Sequence, residues 1–209
     1  VEQALKSHQS SFLQAQTGLG KTYGYLLPAL GQTSKQILVT VPTKVLQDQI
    51  VANEGQNLEQ IFHISLHSLK SPANYLKLDF FYDSLQQVDD NRLVNRCKML
   101  LLVWLTETES GDLDEIGQRH RYQTYLQQVL HDGKLSKKSH FWDTDFWQKG
   151  QEKSKRSRVL VTNHAYFLTR LEDDKSIVEN RLLIVDEAQK LFLALENLSR
   201  KSLNMTKCL

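Results

Sequence analysis

Residues 15–22 read Ala15-Gln16-Thr17-Gly18-Leu19-Gly20-Lys21-Thr22, and the reading of the whole chain turns on them. Gly18 and Gly20 permit tight backbone turns whose N–H groups converge on an anion, and a helix starting at Lys21 adds the positive end of its dipole. A lysine at this place meets the β and γ phosphates of a nucleotide, and the threonine after it ligates magnesium. The preceding segment 11–16 (SFLQAQ) reads as a strand and 21–30 as a helix, which is the context a phosphate loop requires. All eight residues from Ala15 to Thr22 are therefore expected to hold the nucleotide, with Lys21 also catalytic and Thr22 on the metal.

Outward from the loop, short apolar or β-branched runs at 37–41 (ILVTV), 159–162 (VLVT) and 182–185 (LLIV) have the pattern of buried parallel strands. Each precedes a helical pattern, at 44–54, 164–171 and 189–198. The repeated β-α order predicts an α/β fold with an open parallel sheet flanked by helices and right-handed crossovers. Between the two halves the strand signal disappears and polar helical patterns dominate, with the strongest helix at 91–106. The expected organisation is a first core part at 1–65, a helical insertion at 66–157 and a return to the core at 158–209.

Leu183 to Gln189 reads L-I-V-D-E-A-Q, which places Asp186 and Glu187 at the carboxyl end of a buried strand, where open α/β sheets bind their ligands. In that position Asp186 holds magnesium and Glu187 accepts a proton from the water that attacks the γ-phosphate. Taken without the loop, the pair would read as two solvated acids; beside Lys21 and Thr22 it reads as chemistry.

The combination A-x-x-G-x-G-K-T and D-E-A-Q resembles motifs I and II of superfamily-two helicases, in particular the DinG and XPD-like group. That resemblance implies a RecA-like P-loop core, ATP and magnesium as cofactors, and single-stranded DNA as partner. It also implies a second motor domain in the same protein. Val41-Pro42-Thr43-Lys44 resembles motif Ia, so Thr43 and Lys44 are candidate DNA contacts, with Thr43 as a plain helix cap the alternative. Val161-Thr162-Asn163-His164-Ala165 is similar to the segment that precedes motif II in this group, which puts Asn163 and His164 near the nucleic-acid path. An ordinary turn and helix cap is the alternative there too. Gln189 stands where the group usually has histidine and is expected to link the nucleotide site to the partner domain.

Ser68 to Lys77 is similar to the group's K-G-x-x-N-Y-L-C stretch, which makes Tyr75 a candidate nucleic-acid contact, but Lys77 stands in place of the first cluster cysteine. Iron–sulfur members need four thiolates in the insertion, and only Cys97 lies there, so no iron–sulfur cluster is expected. Relatives without those cysteines often carry an exonuclease-like domain ahead of the motor, and such a neighbour is implied here. A non-unwinding ATP-binding module that regulates an attached DNA exonuclease is the alternative reading. A small-molecule kinase would need a phosphoacceptor pocket, and the D-E-A-Q and V-T-N-H segments weigh against it.

The bulk composition agrees with an ordinary globular chain. It has 209 residues, 40% hydrophobic and 24% charged, with a formal net charge of +2, so a polyanion would have to meet a local patch. The run Lys149, Lys153, Lys155, Arg156, Arg158 is one such patch, or a solvated linker. No apolar stretch is long enough for a membrane span and no secretory signal opens the chain, and Cys97 and Cys208 form no disulfide framework, so a cytoplasmic location is expected. The aromatic pairs Phe141-Trp142 and Phe146-Trp147 could stack on bases or pack a helix.

Overall fold

A computed structural model describes residues 1–7, 9–16 and 19–200 of the chain. The sequence divides into two compact units, Val1–Leu69 with the chain from Arg156 onward, and Lys70–Lys155.

The first unit opens with the short helix α1 (Glu2–Ser7) and continues through α2 (Lys21–Gln32), β1 (Gln36–Val41) and α3 (Lys44–Gln49). A π-helical stretch, Ile50–Gly55, joins α3 to α4 (Gln56–Phe62), and β2 (Leu66–Ser68) follows. After the second unit come β3 (Val159–Asn163), α9 (His164–Asp173), β4 (Arg181–Val185) and α10 (Ala188–Ser199). The strands form one parallel sheet in the order β2-β3-β1-β4, with Leu38 of β1 opposite Leu160 of β3 and Leu183 of β4.

Side chains alternate across a strand, and here both faces are covered. Ile37, Val39 and Val41 with Val159 and Val161 meet Leu26 and Ala29 of α2 and Ile50 and Leu58 on one face. Leu38 and Leu160 meet Tyr166 and Phe167 of α9 with Ile177 on the other. Each of these side chains gains about 1.5–3 kcal/mol from leaving water, which explains why β1 and β3 read as continuous apolar runs. The α/β expectation is met, including three of the strands.

Two expectations are corrected. The segment 11–16 forms no strand: Phe12 is 95% exposed and Leu13 67%, and no neighbouring strand supplies the ladder that would hold it. Conversely β2, placed by sequence in the insertion, pairs Leu66 with Val159 and belongs to the sheet. The second unit accordingly starts at Lys70 and ends at Lys155.

That unit is helical: α5 (Leu78–Leu85), α6 (Arg92–Glu107), α7 (Gln123–Val129) and α8 (Phe146–Arg156). Asn91 caps α6 through Leu93 N–H, and Leu101 and Cys97 of that helix join Leu76, Phe81, Leu113, Leu126 and Val129 in a core of its own. Two of its lysines are buried against carboxylates: Lys70 bonds Asp112, and Lys77 bonds the exposed Asp132 at 2.6 Å while lying over the Phe80 ring. The lysine in the cluster-cysteine position is thus an ion-pair partner, and burial pushes the Cys97 thiol up to about 11. Two acids of the insertion bond within the unit, Asp114 to Arg119 at 2.6 Å and Glu115 to Trp104, Thr108 and Ser110. The aromatics pack within the unit, Trp104 with Phe146, Tyr82 with Phe141 and Trp147 with His131. Among the described residues no helix is long and apolar enough to cross a membrane.

Candidate nucleotide site and its relatives

Gly20 sits at φ 66° and ψ 38° as the cap of α2, a left-handed conformation that glycine adopts without steric cost. A Cβ there would meet nothing within 4 Å, so the requirement is conformational, and open space lies in front of the loop. No side chain caps α2, which leaves the first N–H groups of the helix without intrahelical acceptors and suited to an anion. Ala15, Gln16 and Leu19 are exposed, Lys21 and Thr22 are half-buried at the helix start, and Thr17 and Gly18 lie outside the described residues.

One turn along α2, Tyr25 points the same way as Lys21. Its hydroxyl lies 3.5 Å from Asp186 Oδ2, and Thr22 is its other polar partner. Burial and the Asp186 charge push the phenol well above its ordinary value, so it stays neutral. The start of α2 and the end of β4, 161 residues apart in sequence between Tyr25 and Asp186, are thereby brought together. Only its i,i+4 spacing from Lys21 could have pointed to Tyr25 in advance.

Asp186 continues the ladder one residue past β4, donating its N–H to the Thr40 carbonyl at 2.9 Å. Glu187 then turns into α10 with φ 49° and ψ 54°. Its carboxylate accepts from Lys190 Nζ at 2.7 Å, and this bond, helped by the charge of Lys21, holds its pKa below the ordinary carboxylate value. Gln189 is exposed in the first turn of α10. Thr22 and Asp186 offer the hard oxygen donors that magnesium takes, and their approach through Tyr25 fits that ion.

The remaining candidates divide by exposure. Thr43 and Lys44 are exposed at the head of α3, with the Thr43 hydroxyl capping the helix through Leu46 N–H at 3.2 Å. Asn163 and His164 turn inward instead. Asn163 caps α9 through Tyr166 N–H and donates to Gln47 Oε1 at 3.2 Å. Gln47, fully buried on α3, reaches Ser68, Leu69 and Val161. His164 is 1% exposed, its Nδ1 2.8 Å from Thr40 Oγ1, and burial pushes its pKa below the usual value. Tyr75 is buried in the second unit, where its carbonyl accepts from His131 N–H.

A parallel sheet covered by helices, with a glycine-capped helix starting at Lys21 and an Asp-Glu pair following β4, defines a RecA-like fold, and residues 1–102 match the DEAD/DEAH box helicase family. More particularly, the chain is homologous to the DinG proteins along 90% of its length. It is 29% identical over 195 residues to the 3'-5' exonuclease DinG of Bacillus subtilis (strain 168). It is 28% identical over 198 residues to that of Staphylococcus aureus (strain USA300). The chain spans about a fifth of the length of these relatives, 21% in each case. The family implies ATP and magnesium, and a helicase-type, ATP-hydrolysing function.

Proposed function

We propose that this chain is the nucleotide-binding half of a DinG-type DNA motor, which hydrolyses ATP and moves on single-stranded DNA together with a second motor domain of the same protein. The observation that carries this reading is the meeting of Thr22, Tyr25 and Asp186, because it joins the phosphate loop to the acidic strand end. Loop N–H groups and Lys21 hold the β and γ phosphates, and Thr22 and Asp186 hold magnesium. The ion, when bound, neutralises charge developing on the transferring phosphoryl group. Glu187 leaves Lys190, accepts a proton from the attacking water, and ADP and phosphate result. Gln189 faces the partner domain, which supplies a cation to the transition state.

Thr43 and Lys44, exposed at the start of α3, contact the DNA backbone in this reading. In this reading the protein works in the cytoplasm and uses no iron–sulfur cluster, because Lys77 stands where the first cluster cysteine is expected and the insertion has only Cys97. The test is ATP hydrolysis by the intact protein with and without single-stranded DNA, followed by strand separation on a tailed duplex. Stimulated hydrolysis with unwinding supports the motor.

A second reading is favoured by the relatives being 3'-5' exonucleases by name. In it the chain binds ATP to regulate an attached exonuclease without unwinding. Nuclease activity that responds to ATP, with duplex left intact, would select this version.

A further inference from the structure

Glu187 occupies the left-handed backbone region with no glycine to ease it, so its direction depends on what holds the turn. Asp186 N–H is held by the Thr40 carbonyl at 2.9 Å, and the Glu187 carbonyl accepts from Lys190 N–H at 2.7 Å. Behind the turn lies the His164 ring, against the main chain of Asp186 and Glu187. Its Nδ1 is tied to the Thr40 hydroxyl at 2.8 Å, which leaves the buried Nε2 to face that main chain. One residue of β1 therefore anchors both the histidine and the catalytic turn. The preceding Asn163 bonds Gln47, so the same corner is also fixed to α3, which begins at Lys44.

Burying a ring nitrogen carries a desolvation cost that a phenyl ring of similar shape would avoid, so packing alone does not account for histidine here. We propose that His164 is a positioning residue for Glu187. With the Thr40 hydroxyl donating to Nδ1, the ring proton sits on Nε2, which donates a hydrogen bond to the main chain of the Asp186–Glu187 turn. That bond fixes where the Glu187 carboxylate points at the attacking water. The role rests on the hydrolytic motor reading, and it adds a residue to the site that the D-E-A-Q motif does not contain.

The experiment uses the intact protein, its His164→Phe variant and its His164→Gln variant, which keeps a donor and an acceptor at similar reach. Fluorescent ATP binding, kcat and KM for DNA-stimulated hydrolysis, and thermal unfolding are measured on each. In His164→Phe, nucleotide affinity, KM and melting temperature stay near wild type, while kcat falls about 10- to 100-fold, the scale of a misplaced catalytic group. His164→Gln restores most of the loss. An unchanged kcat in His164→Phe overturns the proposal. So does a fall in kcat accompanied by weaker ATP binding and lower melting temperature that glutamine does not rescue, since that marks a packing residue. A wild-type protein that binds ATP without hydrolysing it sinks the motor reading and this role together, and is recognised because the wild type itself fails.

Discussion

Glu187 is paired with Lys190 in this structure, so hydrolysis requires it to exchange an ion pair for a water. Glu187→Gln keeps the shape and removes the base; fluorescent ATP binding by the intact protein should persist while hydrolysis falls by about 100-fold or more, and equal turnover would remove Glu187 from the chemistry. His164 makes a separate prediction. Burial lowers its pKa below the ordinary 6.5, so below that pH the unfolded chain takes up a proton that the folded chain resists. Stability from this residue is complete above about 6.5 and is lost as pH falls toward the folded value, and melting curves of His164→Phe should therefore fall less steeply with acid than wild type. An identical slope would contradict the assignment. Lys21, Thr22, Asp186 and Glu187 could be proposed from sequence because backbone geometry and phosphate chemistry restrict what can stand at such positions. Tyr25 was not, since a tyrosine on an amphipathic helix reads as packing. The V-T-N-H segment was recognisable, but nothing in four letters says which way Asn163 and His164 face; a strand buried along its whole length turned both inward.

The helices and strands were legible where burial on both faces forced a long apolar run, as in β1 and β3, and illegible where pairing alone makes the element. β2 is three residues long and owes its conformation to β3, so its sequence carries no alternation to read. The 11–16 segment has the opposite history: a strand-like sequence with no ladder. In the second unit, tight packing sets a sharper condition. Gly111 has φ +70°, and a Cβ there would lie 2.1 Å from Phe146 Cγ, at the root of the ring where α8 begins. Gly111→Ala combines a left-handed backbone with overpacking and should lower the stability of this unit by about 1–3 kcal/mol, read as an earlier denaturant midpoint. An unchanged midpoint would mean α8 shifts freely. The unit's ion pairs could not be read from sequence, because Lys70 and Asp112 are 42 residues apart and each alone looks like a surface charge.

At the scale of the whole molecule, the first unit carries the candidate nucleotide site and the second a helical core of its own, with Lys70 and Lys77 paired to Asp112 and Asp132 within it. The sequence reading placed an insertion at 66–157 from a loss of strand signal, and the second compact unit runs Lys70–Lys155 because β2 joins the sheet. In the intact protein, single-stranded DNA should accelerate ATP hydrolysis, and the acceleration should weaken with added salt because the proposed contacts of Thr43 and Lys44 are to phosphates. Hydrolysis indifferent to DNA would favour the regulatory reading. The account stands most directly on the phosphate loop. Titration of fluorescent ATP with magnesium into the intact protein and its Lys21→Ala variant tests it: saturable binding in wild type, weakened about tenfold or more in the variant, is the predicted result, in line with loss of a charge-assisted contact. Equal affinity in the two proteins would contradict it.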